Sequence, residues 1–413
     1  MKLLAFIIIF ILISLLFWGI RLYRFEKLMT FYSDQALFLE DISAMIRDKK
    51  PRLIGDIVNS KTVSGLNFYS GPNFYYYITP IVLVAHWDIV LMTKIFMVTW
   101  WLVGIGLLLW IRQYFGNFAG LSTYLLYTTF PYYLNYNRFL WNPCILPLIG
   151  LFYFTILLKL FKHSTTSKWL LFGLITGVGV GTHYAAALWL LIAFCVWIFG
   201  LIKKKWQYLA GLWFLLGTTI GNLPFLIFEL RHNFFNLRIM IKFLSTSRSN
   251  FNIFDLAIAL LPIMFFILGL LIYKLEKFNR FNAWFFVFIM TAVFLISINW
   301  KQQSGLGIPR GWDILKQKAV VNLICHSNTP PFEVAATIGG DTLATDLRWL
   351  LKRQGCQPMG YDQYPNAQTL YLIAPQSRLP EKENVWEVRS FRPFTIEEKI
   401  DLQDGIWLYK LVK

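Results

Sequence analysis

The sequence predicts an α-helical polytopic membrane protein of about nine spans, with interfacial helices and a small C-terminal α/β domain outside the membrane. Three observations carry this. Of 413 residues, 57% are hydrophobic and 15% charged, well below the ~25% charge of a soluble domain. Long apolar runs recur through residues 1–300, as a bilayer demands. After Trp300 hydropathy falls and the shorter periodicities of a soluble domain take over. The expected domains are therefore 1–300 and 301–413.

The N-terminal run Leu3 to Ile20 follows Lys2 like a signal peptide, but it is too long and lacks a small-x-small cleavage site. It reads as an uncleaved anchor. Further apolar runs lie at about 73–92, 95–111, 117–134, 140–161, 169–184, 186–202, 207–228, 254–273 and 281–299. The two meeting at His183 would be too long as one crossing, so they are separate.

Lys2, Arg112, the Lys162/Lys168 loop, Lys203 to Lys205 and the Lys274/Lys277/Arg280 loop read as cytoplasmic by the positive-inside rule. That orientation leaves two apolar runs between Arg112 and the first anchor, where an odd number of crossings is required. The weaker run is 73–92, with Pro80, His86, Asp88 and a tyrosine cluster. It reads as a helix on the outer interface. The N-terminus is then inside, the tail outside, and residues 21–94 form a long external loop.

That loop holds Glu26, Asp34, Glu40, Asp41, Asp48, Asp56 and Asp88, whereas residues 89–228 contain no acid. Asp34 and Asp41 fall on one face of a helix expected to run to about Lys49. In the simpler alternative, Ser33 or Asp34 is only that helix's N-cap. Other outward elements carry Arg138 and Asn142 in "YNRFLWNP", His183 and Tyr184 in "GTHYAAAL", and Arg231 and His232 in "FELRHNFFNLRIMIKFL". Taken singly these suit a helix break, a packed histidine and a lipid-bound surface helix. Together, carboxylates that can take a proton from a hydroxyl and arginines that can hold a phosphate suit a lipid-linked phosphate substrate.

The net charge of +17 is concentrated in the first 300 residues, which carry 25 basic and 10 acidic groups. This fits topology and anionic lipid, and no continuous basic stripe points to nucleic acid. Cys144 and Cys195 lie in apolar segments. Cys325 and Cys356 lie in the tail without metal-like spacing, and either pair or stay free. In the tail, "WDILKQKAVVNLIC" reads as a helix, "PFEVAATIG" as a strand and "AQTLYLIAPQ" as another. "DTLATDLRWLLKRQG" reads as a helix capped by Asp341 and closed by Gly355. "VWEVRSF" and "GIWLYKLVK" read as further strands, and "IGGD" is too short for a phosphate loop.

"SDQALF", "SGPNFYYYITP", "YNRFLWNPCILP", "GTHYAAAL" and "PFLIFELRHNFFN" resemble the bacterial branch of the dolichyl-phosphate-mannose–protein mannosyltransferases. These are GT-C-type glycosyltransferases, related to the aminoarabinose transferase of lipid A, and the resemblance covers about residues 1–300. It implies a polyprenyl-phosphate sugar donor, an inverting transfer to a protein, lipid or glycan hydroxyl, and an essential Asp in the first external loop, here Asp34. It also implies interfacial helices in that loop, with Tyr75 and Asp41 among the substrate-facing candidates. The sequence departs from the pattern in the second external loop, where Asn142 follows Arg138 and no acid is present. That leaves the acceptor open and gives no sign of a bridged metal, so no cofactor is assigned and a divalent cation stays open. A transporter or flippase of lipid-linked sugars is the rival, against which stand the absence of an internal repeat and of charges within spans.

Overall fold

The computed structural model describes residues 2–58, 66–246, 253–303, 310–327 and 331–413. Part of the expected linker after Trp300, and residues 59–65 and 247–252, lie outside them. The chain divides into two compact units. One comprises Met1–Arg21 and Ala44–Asn299, and the other Leu22–Ser43 and Trp300–Lys413. The second unit thus takes residues 22–43, from the stretch expected as the first external loop, in addition to the tail.

The membrane unit opens with α1 (Leu3–Leu22). A helical turn, α2 (Phe25–Leu28), and α3 (Ser33–Asp48) follow in the loop, and α3 ends where the sequence predicts. Next comes α4 (Asn73–Val84), with Pro80 inside it. Its 12 residues rise about 18 Å, short of the ~30 Å hydrocarbon core. The expected element 73–92 is not continuous, however. His86 and Trp87 take left-handed backbone angles, and Asp88 caps the next helix by accepting from Leu91 N–H at 2.7 Å. Asp88 is therefore a helix cap, which explains a charge at that position.

α5 (Ile89–Thr129) is a helical hairpin turning at Gly116, whose φ of 90° suits glycine. A straight helix of 41 residues would be about 60 Å long. Instead the Tyr127 hydroxyl donates to the carbonyl of Trp100 at 2.7 Å, and Gly104 lies against Tyr124 and Tyr127. The arms match the apolar runs 95–111 and 117–134. Then follow α6 (Leu146–Lys162), α7 (Thr166–Val180), α8 (Ala187–Ile202), α9 (Leu209–Gly221), α10 (Leu223–Arg231), α11 (Phe235–Thr246), α12 (Ile253–Phe278) and α13 (Arg280–Ser297). Helix α9 meets α10 at a bend of 82°. Among the described residues, and with the α5 hairpin counted once, six helices are long and apolar enough to cross a membrane, or seven if that bent pair is one span. The expected break at His183 separates α7 from α8.

The tightest helix pair is α7 with α9. An added Cβ at Gly177 would meet the Thr218 carbonyl at 2.2 Å, and one at Gly217 would meet the Leu170 carbonyl at 2.1 Å. The contacts advance together along both helices, so the pair is parallel, joined by the returning α8. Two small-xxx-small repeats, Gly173/Gly177 and Gly217/Gly221, bring the backbones together as in other membrane helix pairs. Gly177→Leu should force them apart and cost about 1–3 kcal/mol. Thermal unfolding in nanodiscs should show that loss, and Gly19→Leu is the control, because nothing lies within 4 Å of an added Cβ there.

The second unit is built on a four-stranded sheet of order β1-β2-β4-β3. β1 (Phe332–Ala336) pairs parallel with β2 (Thr369–Pro375), which pairs antiparallel with β4 (Ile406–Val412). β3 (Thr395–Asp401) lies antiparallel on β4 at the edge. α14 (Ile314–His326) and α15 (Thr345–Arg353) contribute to one apolar layer, and α16 (Trp386–Ser390) to the other. "VWEVRSF" is thus a helix, not a strand, because Val385, Val388 and Phe391 reach one core at a spacing of three. β3 escaped the sequence reading because nearly all of it is exposed and "TIEEKID" shows no apolar alternation, as charged edge strands often do. Cys325 and Cys356 form a disulfide with Cα atoms 5.6 Å apart.

Candidate active site

Asp34 is the second residue of α3, in the unit that contains the tail. Chain entry into α3 is unusually well fixed. The Gln35 Oε1 accepts from Tyr32 N–H at 2.9 Å and Ala36 N–H reaches the Tyr32 carbonyl at 3.1 Å, so Tyr32 and Gln35 close the first turn. Capping does not require Asp34. Its carboxylate makes no hydrogen bond or ion pair with a described residue. Its side chain is solvent-exposed by area, yet crowding by protein atoms, and then the charge of Asp341, push its pKa above the usual carboxylate value. Those two facts describe a carboxyl on the wall of a recess, with one side open.

The loop bearing Asp341 is braced from several directions. Asp341 accepts from Leu343 N–H at 3.2 Å and Thr345 N–H at 2.7 Å, which fits the expected helix-start role although α15 itself begins at Thr345. Thr337 donates to buried Glu383 at 2.9 Å, Thr342 to buried Glu387 at 2.8 Å, and Arg348 Nε to the Leu343 carbonyl at 2.8 Å. The Tyr32 hydroxyl hydrogen-bonds the backbone of Gly340. "IGGD" therefore supplies not a phosphate loop but a fixed second carboxylate for Asp34. A third, Asp346, is buried. Desolvation, followed by Asp341, raises it to about 6, although Trp312 and Gln317 donate to it.

Asp41 lies seven residues beyond Asp34 on α3 and is half-buried. Glu40 is raised by burial and held back by Lys352. The other candidates belong to the membrane unit. Buried Tyr75 donates to Asp56 at 2.7 Å. Buried Arg138 donates through Nε and Nη2 to the carbonyls of Arg21 and Ile20, each at 2.9 Å, closing the C-terminal end of α1. Burial lowers it only to about 10, so it stays cationic. Asn142 is buried beside it in sequence. His183 is buried, its Nδ1 accepts from Ala185 N–H at 3.3 Å, and burial lowers it to about 3. It is a neutral imidazole, 4.1 Å from the exposed ring of Tyr184 and tilted to it by 35°. Arg231 and His232 are exposed at the end of α10, where the His232 ring lies 4.2 Å from Phe228.

Within its unit, then, the structure joins Asp34 to Tyr32 and Asp341, and Asp341 in turn to buried Asp346, none of which the sequence singles out as site residues. No local signal could have found them, because Asp34 and Asp341 are brought together only by the fold. Among the described residues, no three His, Cys, Asp or Glu side chains gather as a metal site.

No protein-family model matches the sequence, and no curated protein matches it. Two solved structures match over nearly the whole length. The crystal structure of ArnT from Cupriavidus metallidurans in the apo state shares 11% identity at a TM-score of 0.57, covering 98% of each chain. The crystal structure of ArnT from the same organism bound to undecaprenyl phosphate shares 10% identity at a TM-score of 0.59, covering 99% of this chain and 98% of the other. Identity this low speaks for fold alone, and the chain has the fold of these ArnT structures.

Proposed function

We propose that this multi-pass membrane protein is a glycosyltransferase that moves a sugar from a polyprenyl-phosphate donor to an acceptor hydroxyl, with Asp34 as the general base. The observation that carries the reading is the Asp34 carboxylate, which has a raised pKa and no hydrogen-bond partner among the described residues, set in a fold shared with a protein that binds undecaprenyl phosphate. A raised pKa makes a carboxylate a stronger base. The acceptor oxygen attacks the anomeric carbon as the carbon–phosphate oxygen bond breaks. Asp34 takes the hydroxyl proton, the configuration inverts, and the lipid leaves as polyprenyl phosphate. Within the membrane unit Arg231 is exposed, whereas Arg138 already serves the carbonyls of α1. The transfer takes place on the outer face, with the N-terminus cytoplasmic. The Cys325–Cys356 disulfide supports that side, because such bonds persist in oxidising compartments.

The test is release of polyprenyl phosphate from a panel of polyprenyl-phosphate sugars by the full chain in nanodiscs, with crude envelope extract as acceptor. Release sustains the reading. Transbilayer movement of the donor without release would replace it with a flippase.

The electrostatics give a pH prediction. A like charge at Asp341 raises Asp34, so Asp341→Asn lowers the Asp34 pKa and moves the acidic limb of the rate profile to lower pH. The plateau should fall as well, because the base is weaker. An unmoved limb would separate Asp341 from Asp34.

A further inference from the structure

The strand-like segment that delivers the chain to Asp34 is held by an amide from α14. Gln317 is fully buried. Its Oε1 accepts from Phe31 N–H at 3.1 Å, and its Nε2 donates to the Phe31 carbonyl at 2.6 Å. The side chain thus copies the paired hydrogen bonds of a neighbouring strand. Nε2 also donates to the Asp346 Oδ2 at 2.6 Å, and Trp312 Nε1 reaches the same oxygen at 3.4 Å. Two more bonds flank this brace. Ile314 N–H donates to the Met29 carbonyl at 2.9 Å, and Thr30 Oγ1 to the Trp312 carbonyl at 2.8 Å. The Phe31 ring packs 5.3 Å from Trp349.

We propose that Gln317 is a positioning residue that sets the placement of Asp34 through the backbone of Phe31, three residues earlier. This rests on the reading of Asp34 as the base. The amide orientation is dictated by its partners: turned over, it would set its oxygen against two acceptors, the Phe31 carbonyl and Asp346. Asp346 anchors the amide from behind, which gives this buried carboxylate a role. Met29, Thr30 and Phe31 are themselves fully buried, so the segment cannot borrow water for the bonds it would lose. A shift of about 1 Å in a reacting group can cost about 100-fold in rate.

Two variants of the full chain in nanodiscs test this. Gln317→Met keeps the length and removes both bonds, and Gln317→Glu keeps the shape but ionises beside Asp346. Turnover is followed as polyprenyl phosphate release, and the order of residues 29–36 by hydrogen exchange. Gln317→Met should lower kcat at least about tenfold with the donor KM within about twofold, and should speed amide exchange at Phe31 and Ala36. Gln317→Glu should lose protection at neutral pH and regain it in acid, once a neutral carboxyl can donate again. A general folding defect would instead lower protection across the whole unit. Wild-type kcat in Gln317→Met, or unchanged exchange at 29–36, overturns the proposal. If wild type itself releases no polyprenyl phosphate, the transferase reading fails, and the exchange arm still decides whether Gln317 holds the Asp34 turn.

Discussion

Asp34→Asn should lower kcat for sugar transfer by about 10²–10⁴-fold, the usual contribution of a general base. It should do so without unfolding the protein. The substitution keeps the shape and removes a carboxylate that makes no hydrogen bond to a described residue. The stability effect has a predictable sign. Burial and Asp341 raise the folded-state pKa, so ionised Asp34 works against the fold as pH rises through the carboxylate range. Asparagine removes that penalty, and only a small favourable interaction with the helix N-terminus is lost with it. The variant should therefore melt at or slightly above the wild-type temperature while turning over poorly. Asp34→Glu should retain part of the activity, with its carboxylate displaced by one methylene. An Asp34→Asn protein within twofold of wild-type kcat would return the residue to a surface role on α3. Rate and melting have to be measured on the same preparation, because a functional residue is distinguished here by their opposite movement.

Much of this fold is legible in the sequence because a bilayer imposes long, uniform signals. The arms of the α5 hairpin and the break at His183 follow from run length and charge, whereas the run expected over 73–92 is split between a helix ending at Val84 and α5 starting at Ile89. Where the signal is local, the reading extends to α3 and to the strands β1, β2 and β4. It stops where contacts are made between distant segments. Residues 22–43 lie in an apparent loop, yet they pack with the tail, because bonds such as Gln317 to Phe31 join positions 286 apart. Arg138 looks like a free outward cation in "YNRF", and only the structure shows it closing α1. Asp341 looks like a helix cap, which it is, and the same carboxylate also raises Asp34. A residue with two jobs gives the sequence only its local one. The glycine repeats of α7 and α9 were present as a pattern, but pairing them needed the fold.

The largest stability effect is expected at Arg348, in the interior of the same unit that holds Asp34. Its guanidinium forms an ion pair with Glu333, which is fully buried, and donates to the Tyr364 hydroxyl at 2.7 Å. It also donates to the carbonyls of Leu343 and Met359, at 2.8 and 3.0 Å. Arg348→Met fills much of the space but leaves Glu333 in an apolar interior without its counter-charge, and should cost about 3–5 kcal/mol. Glu333 is already raised by burial, with Arg348 holding it down. Removing Arg348 raises it further, so the variant should be least impaired in acid and lose stability as pH rises toward neutral. Arg348→Met combined with Glu333→Leu should recover most of the loss, since no charge is then left buried. The double variant still lacks the bond to Leu343, on the loop that carries Asp341. It should therefore be well folded yet slower in transfer. Denaturant unfolding of both variants across pH checks the first point, and kcat of the double variant the second. A single variant within 1 kcal/mol of wild type at every pH would mean that water or a neighbouring group compensates Glu333, and that the pair contributes little.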